Sequence, residues 1–120
     1  MFEVLFYKDR QGNEPIRDYI RELNNKAKTS KHHRVKLKKI LEYIAILEEF
    51  GTRIGEPIVK HIDAGIWEIR PISDRILFFY WKDDKFILLH HFAKKTRKTP
   101  QREIDKAKHN LNDFLERNEW

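Results

Sequence analysis

The sequence predicts an α+β protein: an N-terminal strand, a two-helix hairpin, an antiparallel meander sheet and a C-terminal helix. Three observations predict this class. Apolar residues recur at helical spacing through residues 15–50, three apolar and aromatic runs follow between residues 66 and 94, and helical spacing returns after Pro100. The 120 residues suffice for one core of modest size, so we expect a single domain over residues 1–120.

The N-terminal part of the chain is predicted to form a strand and then a helix. Apart from Glu3, residues 2–7 form a short apolar run with aromatic and β-branched members, and residues 9–13 are typical of a turn. We expect Asn13 to cap a helix that has Pro15 in its first turn and ends near residues 24–25. Its apolar face consists of Ile16, Tyr19, Ile20 and Leu23.

A longer second helix is predicted to complete the hairpin. Ser30 is expected to cap this helix, and Gly51 to end it. Helical spacing between them is kept by Leu37, Ile40, Leu41, Ile44 and Leu47.

The predicted meander has three strands, over residues 66–70, 75–82 and 86–94, with turns at 71–74 and 83–84. The middle run is apolar on both faces, so we expect a central strand that helices cover on at least one side.

The last predicted helix begins after Thr99, which is expected to act as its N-cap, with Glu103 near the positive end of its dipole. Its apolar stripe consists of Ile104, Ala107, Leu111, Phe114 and Leu115. Trp120 is assigned no role.

Composition points to a polyanionic partner. The chain has 25 Lys and Arg against 19 Asp and Glu, a formal charge of +6 and a pI near 9.5, which favour nucleic acid. It has no cysteine, which excludes disulfides, thiolate metal sites and cysteine nucleophiles. Its apolar runs are far shorter than the roughly 20 residues of a membrane span, and its start lacks signal-peptide features, so we expect a cytoplasmic protein without a membrane partner.

Histidine spacing argues against a metal site. Neighbours on a strand, such as His90 and His91, point to opposite faces, and His32 and His33 diverge on a helix. We therefore expect no metal. His90 or His91 remains a candidate proton carrier, with a hydrogen-bonded position at the edge of the core as the alternative.

Charged residues cluster at the predicted strand ends. Glu68 and Arg70 share one face of their strand, Arg75 opens the next, and Lys94 and Lys95 close the third. Two guanidinium groups across a short turn match one phosphate, and lysines would complete the site. An ordinary salt bridge beside a solvated turn explains the same pattern, and spacing alone leaves both interpretations open.

The stretch from Lys94 to Lys98 leads into a helix N-terminus, which also attracts phosphate. Phe92, beside these lysines, is the predicted platform for stacking a base, whereas the aromatic residues of the middle strand are expected in the core.

Two segments resemble the RelE/HigB toxin superfamily, and in particular its phage-derived branch. They are KHIDAGIWEIR at residues 60–70 with RILFFY at 75–80, and LLHHFAKKTRKTP at 88–100, followed by Glu103 and Ala107. The resemblance implies a microbial RNase fold and metal-independent, cofactor-free cleavage of messenger RNA on the ribosome. It further implies that a HigA-like helix-turn-helix antitoxin inhibits the toxin. The toxin would be associated with operator DNA only through this antitoxin.

The resemblance also implies roles for individual residues. The basic catalytic cluster of RelE-like toxins matches Arg70, Arg75, Lys94 and Lys95. Glu68 departs from RelE, which has a basic residue there; we expect it to orient Arg70, with general base as the alternative. No tyrosine follows Tyr80, unlike in RelE. The residues expected to bind RNA around the cleaved bond are Lys60, His91, Phe92, Arg97 and Lys98.

Two other functions fit the same sequence. A ParE-like toxin shares the fold but inhibits DNA gyrase through a protein interface, and fold alone does not separate the two. A non-catalytic nucleic-acid-binding module would need only the charge of +6 and the basic stretch at residues 94–98.

Overall fold

The computed structural model describes residues 1–118, so Trp120 lies outside the described part. Its elements are β1 (Glu3–Phe6), α1 (Pro15–Lys26), α2 (Lys31–Phe50), a 3₁₀ turn (Gly51–Ile54), β2 (Val59–Asp63), β3 (Ile66–Ile69), β4 (Asp74–Trp81), β5 (Lys85–Ala93) and α3 (Gln101–Arg117). This order confirms the predicted α+β class.

The strands form one five-stranded sheet in the order β1-β5-β4-β3-β2. Strands β2 to β5 form an antiparallel meander, and β1 joins its edge parallel to β5. As predicted, β4 is the central strand. The sequence prediction missed β2, because the exposed Lys60 and His61 on this edge strand interrupt its apolar pattern.

Both faces of the sheet are covered by helices. Ile76 and Phe78 face a core formed with α1 and α2, whereas Leu77 and Phe79 face a second cluster that includes Ala107 of α3. Successive residues of β4 are therefore buried on opposite sides, which explains why its sequence is apolar throughout.

The structure confirms one predicted helix cap and corrects two. Ser30 caps α2 by accepting from the His33 amide at 3.4 Å. Asn13 does not cap α1, since Glu14 holds that position and the Asn13 amide instead donates to Asp9 at 2.8 Å. Thr99 does not cap α3 either, since Pro100 is the N-cap and the Thr99 hydroxyl is engaged elsewhere.

Within residues 1–118, none of the helices combines the length and the apolar character that crossing a bilayer requires.

Candidate active site

The site lies at one end of the sheet, on the face covered by α3. Glu68 is opposite Leu77 in the β3–β4 pair, and Arg75 is opposite Phe92 in the β4–β5 pair. Directly opposite residues in antiparallel strands share a face, and Leu77 belongs to the α3-side core. The pleat thus brings Glu68, Arg75 and Phe92 to the same side of the sheet. Arg70 lies on this side too, because it is two residues from Glu68.

Two arginines converge on one buried carboxylate. Glu68 is only 1% exposed, and its Oε1 lies 3.4 Å from Nε of Arg70 and 3.9 Å from Nε of Arg75. Thr99 donates its hydroxyl to the other oxygen, Oε2, at 2.7 Å. The carboxylate thereby holds two guanidinium groups close together and ties the start of α3 to the sheet.

The two arginines differ in accessibility. Arg75 is buried, and its Nη1 donates to the carbonyl oxygens of Ile72 at 2.9 Å and Asp74 at 2.7 Å. Burial, and next the charge of Arg70, lower the pKa of the Arg75 guanidinium, which nevertheless keeps its charge at neutral pH. The Arg70 side chain is 20% exposed, and the nearest further carboxylate belongs to the exposed Glu56 at 3.8 Å. Arg70 is therefore the guanidinium that a ligand reaches, with Arg75 fixed behind it.

A histidine and a second carboxylate lie on the same face, with the histidine two residues before Phe92 on β5. His90 Nε2 is 2.7 Å from Oε1 of the buried Glu103, and the His90 ring stacks with Phe92 at a centroid distance of 6.1 Å. Burial raises the pKa of Glu103, but the hydrogen bond and charge of His90, with nearby cations, bring it below its usual value overall. The sequence suggested His90 only as one of two candidate proton carriers and did not pair it with Glu103.

His91 lies on the opposite face, away from the arginines. Its ring stacks on Tyr19 of α1 at 4.4 Å and 14°. Burial, and next the charge of His90, lower the pKa of His91. The structure therefore does not bring His91 together with the other residues that the sequence selected.

The opposite face holds a polar network behind the site. The Tyr19 hydroxyl donates to Asp74 at 2.7 Å, and Lys36 Nζ lies 3.6 Å from the same oxygen. Because the Asp74 carbonyl accepts from Arg75, this network connects α1 and α2 to the backbone that fixes the buried arginine.

Exposed cations lie on segments next to the arginine pair. Lys94, Lys95, Arg97 and Lys98 are all exposed in the loop after β5. The Lys94 amide donates to Ser73 at 2.7 Å, which places this loop beside the turn between Arg70 and Arg75. Lys60 is exposed and in register with Glu68.

A groove of about 560 Å³ lies between this loop and the start of α3. Its lining includes Phe92, Lys95, Lys98, Thr99, Arg102 and Glu103. The groove has an aromatic side chain on one wall and cations along its rim, a combination suited to a nucleotide base and its phosphates. Throughout residues 1–118, His, Asp and Glu side chains form no group of three able to hold a metal ion.

A known protein family matches most of the chain. The model of the family described as phage-derived protein Gp49-like (DUF891) matches residues 18–112, which include every site residue described above. That family is related to RelE and to toxin–antitoxin proteins, and the match indicates a toxin-like module. No curated protein matches the chain.

Proposed function

We propose, since the chain belongs to the Gp49-like family of phage-derived proteins, that it is the toxin of a type II toxin–antitoxin pair and cleaves messenger RNA on the ribosome. The observation that carries this proposal is the arginine pair held on Glu68 beside the exposed lysines after β5. A buried carboxylate that holds one guanidinium at the surface and another behind it prepares a site for a phosphate.

The proposed reaction is attack by a ribose 2′-hydroxyl on the adjacent phosphorus. The 2′-oxygen forms the new bond, the bond from phosphorus to the 5′-oxygen breaks, and the products carry a 2′,3′-cyclic phosphate and a 5′-hydroxyl. Arg70 would donate to the oxygens on which negative charge develops, with Arg75 adding positive potential. A well-placed donor of this kind contributes about 3–4 kcal/mol to transition-state stabilisation.

Glu68 orients the arginines in this proposal and is not the base. Its two oxygens already face Arg70, Arg75 and Thr99, and it is buried. A carboxylate with its lone pairs so occupied is poorly placed to accept a proton from a ribose.

Two sets of residues are candidates for proton transfer. Lys94 and Lys95 are exposed beside the turn that joins the arginines, and His90 lies on the arginine face against Glu103. An imidazole changes charge near neutral pH, whereas a lysine serves only if surrounding cations lower its pKa. Replacement of each residue and the pH dependence of the cleavage rate separate the candidates.

The remaining site residues are assigned to RNA binding. Lys60, Arg97 and Lys98 would neutralise phosphates that flank the cleaved bond, and Phe92 would stack a base. His91 is assigned no contact with the cleaved phosphate, since its ring lies on the other face of the sheet. A HigA-like helix-turn-helix antitoxin is the proposed inhibitor, and operator DNA is reached only through it.

Induced expression in bacteria tests the function. We expect the wild-type protein to arrest growth and to produce codon-linked cuts that primer extension detects in messenger RNA. Arg70→Ala and Lys94→Ala should abolish both effects at equal protein levels. Arg53→Ala, which replaces an exposed cation outside the site, should keep them.

Two outcomes would reject the nuclease. Gyrase inhibition that survives both site substitutions would favour a ParE-like toxin. Salt-dependent RNA affinity without growth arrest or cleavage would favour a non-catalytic binding module.

A further inference from the structure

The net positive charge of the chain comes from two short segments. Of its 25 Lys and Arg, four lie in residues 94–98 and seven in residues 26–39, and neither segment contains an acid. The rest of the chain therefore has 14 cations against all 19 acids. The second segment, here called the hairpin segment, contains Lys26, Lys28, Lys31, Arg34, Lys36, Lys38 and Lys39.

The hairpin segment lies at the same end of the sheet as the candidate active site. It comprises the end of α1, the connection and the first half of α2. Lys36 contacts Asp74, the first residue of β4, at 3.6 Å, and the next residue is Arg75. The basic loop after β5 meets the same turn through the Lys94 amide and Ser73. The two basic segments thus lie on either side of one turn, at residues 71–74.

Much of the charge in the hairpin segment is uncompensated. Lys28, Lys31 and Lys38 are exposed, and none of them forms an ion pair within residues 1–118. Lys26 forms an ion pair with Glu22, and Lys39 with Glu42. Both ion pairs are exposed to solvent, where such interactions are weak. The pKa of His33 is lowered mainly by burial, with smaller contributions from the charges of Lys26, His32 and Lys36.

We infer that the hairpin segment binds phosphates of the same single-stranded RNA that occupies the active site, beyond the cleaved bond. This inference rests on the proposed function, which identifies the bound polyanion as single-stranded RNA. A strand leaving the arginine pair meets the 71–74 turn, and cations continue on the far side of that turn. Exposed lysines that form no ion pair within residues 1–118 are available to bind a phosphate backbone through counterion release, without sequence preference.

The salt dependence of RNA binding tests this inference. Fluorescence anisotropy would compare 2′-O-methylated, uncleavable RNAs of about six and about 24 nucleotides, the first near the lower end of common single-strand site sizes and the second longer than them. The variant is Lys28→Gln, Lys31→Gln and Lys38→Gln combined. Its matched control, Lys8→Gln with Arg53→Gln and Lys85→Gln, removes equal charge outside both basic segments.

We expect the hairpin variant to bind the long RNA about tenfold more weakly and to bind the short RNA normally. Each single-strand phosphate contact adds about 0.7 to the salt slope, so losing three should lower the slope by about 2. The control variant should behave as wild type. Unchanged affinity and slope for the long RNA, or equal weakening for both lengths, would overturn the inference.

Arg70→Ala in the same assay reports on the proposed function separately. It should weaken binding of the short RNA, which the hairpin variant should not. If Arg70→Ala leaves short-RNA binding unchanged, the proposed site fails whether or not the hairpin segment binds RNA.

Discussion

Glu68 shows how one buried side chain arranges several others. Removing a carboxylate from water is costly, and the cost is offset only when cations and donors surround it. Arg70, Arg75 and Thr99 supply these contacts, so the two arginines are held close together despite their mutual repulsion. A phosphate that approaches Arg70 therefore meets a guanidinium whose position is already fixed, which lowers the entropic cost of binding.

At the same scale, His91 predicts a pH dependence of folding. Its pKa is lowered in the folded protein below the ordinary 6.5, mainly by burial. Its contribution to stability is thus complete above the unfolded-state pKa and is lost as pH falls through the folded-state value, because the unfolded chain takes up the proton more readily. The free energy of unfolding should decrease between about pH 7 and pH 5.

Urea unfolding at the two pH values measures this decrease. His91→Phe keeps a ring against Tyr19 and should show a smaller decrease than the wild type. His32→Phe, at an exposed histidine of α2, should keep the wild-type decrease. If His91→Phe and the wild type lose equal stability on acidification, burial of a neutral His91 is not the cause.

Local residue pairing could be predicted from the sequence, whereas contacts with α3 could not. The two-residue spacing of Glu68 and Arg70, with Arg75 across a short turn, indicated that these side chains come close, but it left a salt bridge and a phosphate site as equal alternatives. The pairing of His90 with Glu103 depends on how α3 docks on the sheet, which no local pattern specifies. For the same reason Thr99 was assigned to a helix cap, although its hydroxyl reaches Glu68.

At the level of elements, helices and buried strands were the most predictable. Ser30 and Gly51 set the limits of α2 because a hydroxyl cap and a glycine act locally. The parallel pairing of β1 with β5 joins residues about 80 positions apart, so local sequence does not indicate it. The edge strand β2 escaped prediction because solvent on one side permits polar residues.

Gly51 gives a prediction about how α2 ends. Its φ is +64°, and an added Cβ would lie 2.7 Å from Cε2 of Phe2, whose ring packs on Phe86. Gly51→Ala should therefore lower the free energy of unfolding by about 1–3 kcal/mol, through backbone strain and steric overlap.

Urea unfolding tests this prediction against a second glycine. A Cβ at Gly65 would meet no heavy atom within 4 Å, and Gly65 has no positive φ. Gly65→Ala should change stability by less than about 0.5 kcal/mol. Equal effects of the two substitutions on the free energy of unfolding would show that overlap with Phe2 does not determine the cost of a side chain at residue 51.

Across the whole molecule, the fold brings together positive charge that the sequence holds in two distant segments. Residues 26–39 and 94–98 come to one end of the sheet, on either side of the 71–74 turn. A basic composition alone predicted a polyanionic partner, but the meeting of these segments depends on the sheet and on α1 and α2. The arrangement concentrates positive potential where the partly exposed Arg70 reaches the surface, which favours approach of a polyanion to that end.

Analysis of RNA ends tests the central claim most directly. Purified protein would be incubated with ribosomes translating a defined messenger RNA, and the termini of the fragments would be determined. We predict cuts only in the presence of ribosomes, with a 2′,3′-cyclic phosphate on the upstream fragment and a 5′-hydroxyl on the downstream one, and none with Arg70→Ala. Fragments with a 3′-hydroxyl and a 5′-phosphate, or cuts that persist in Arg70→Ala, would contradict the account.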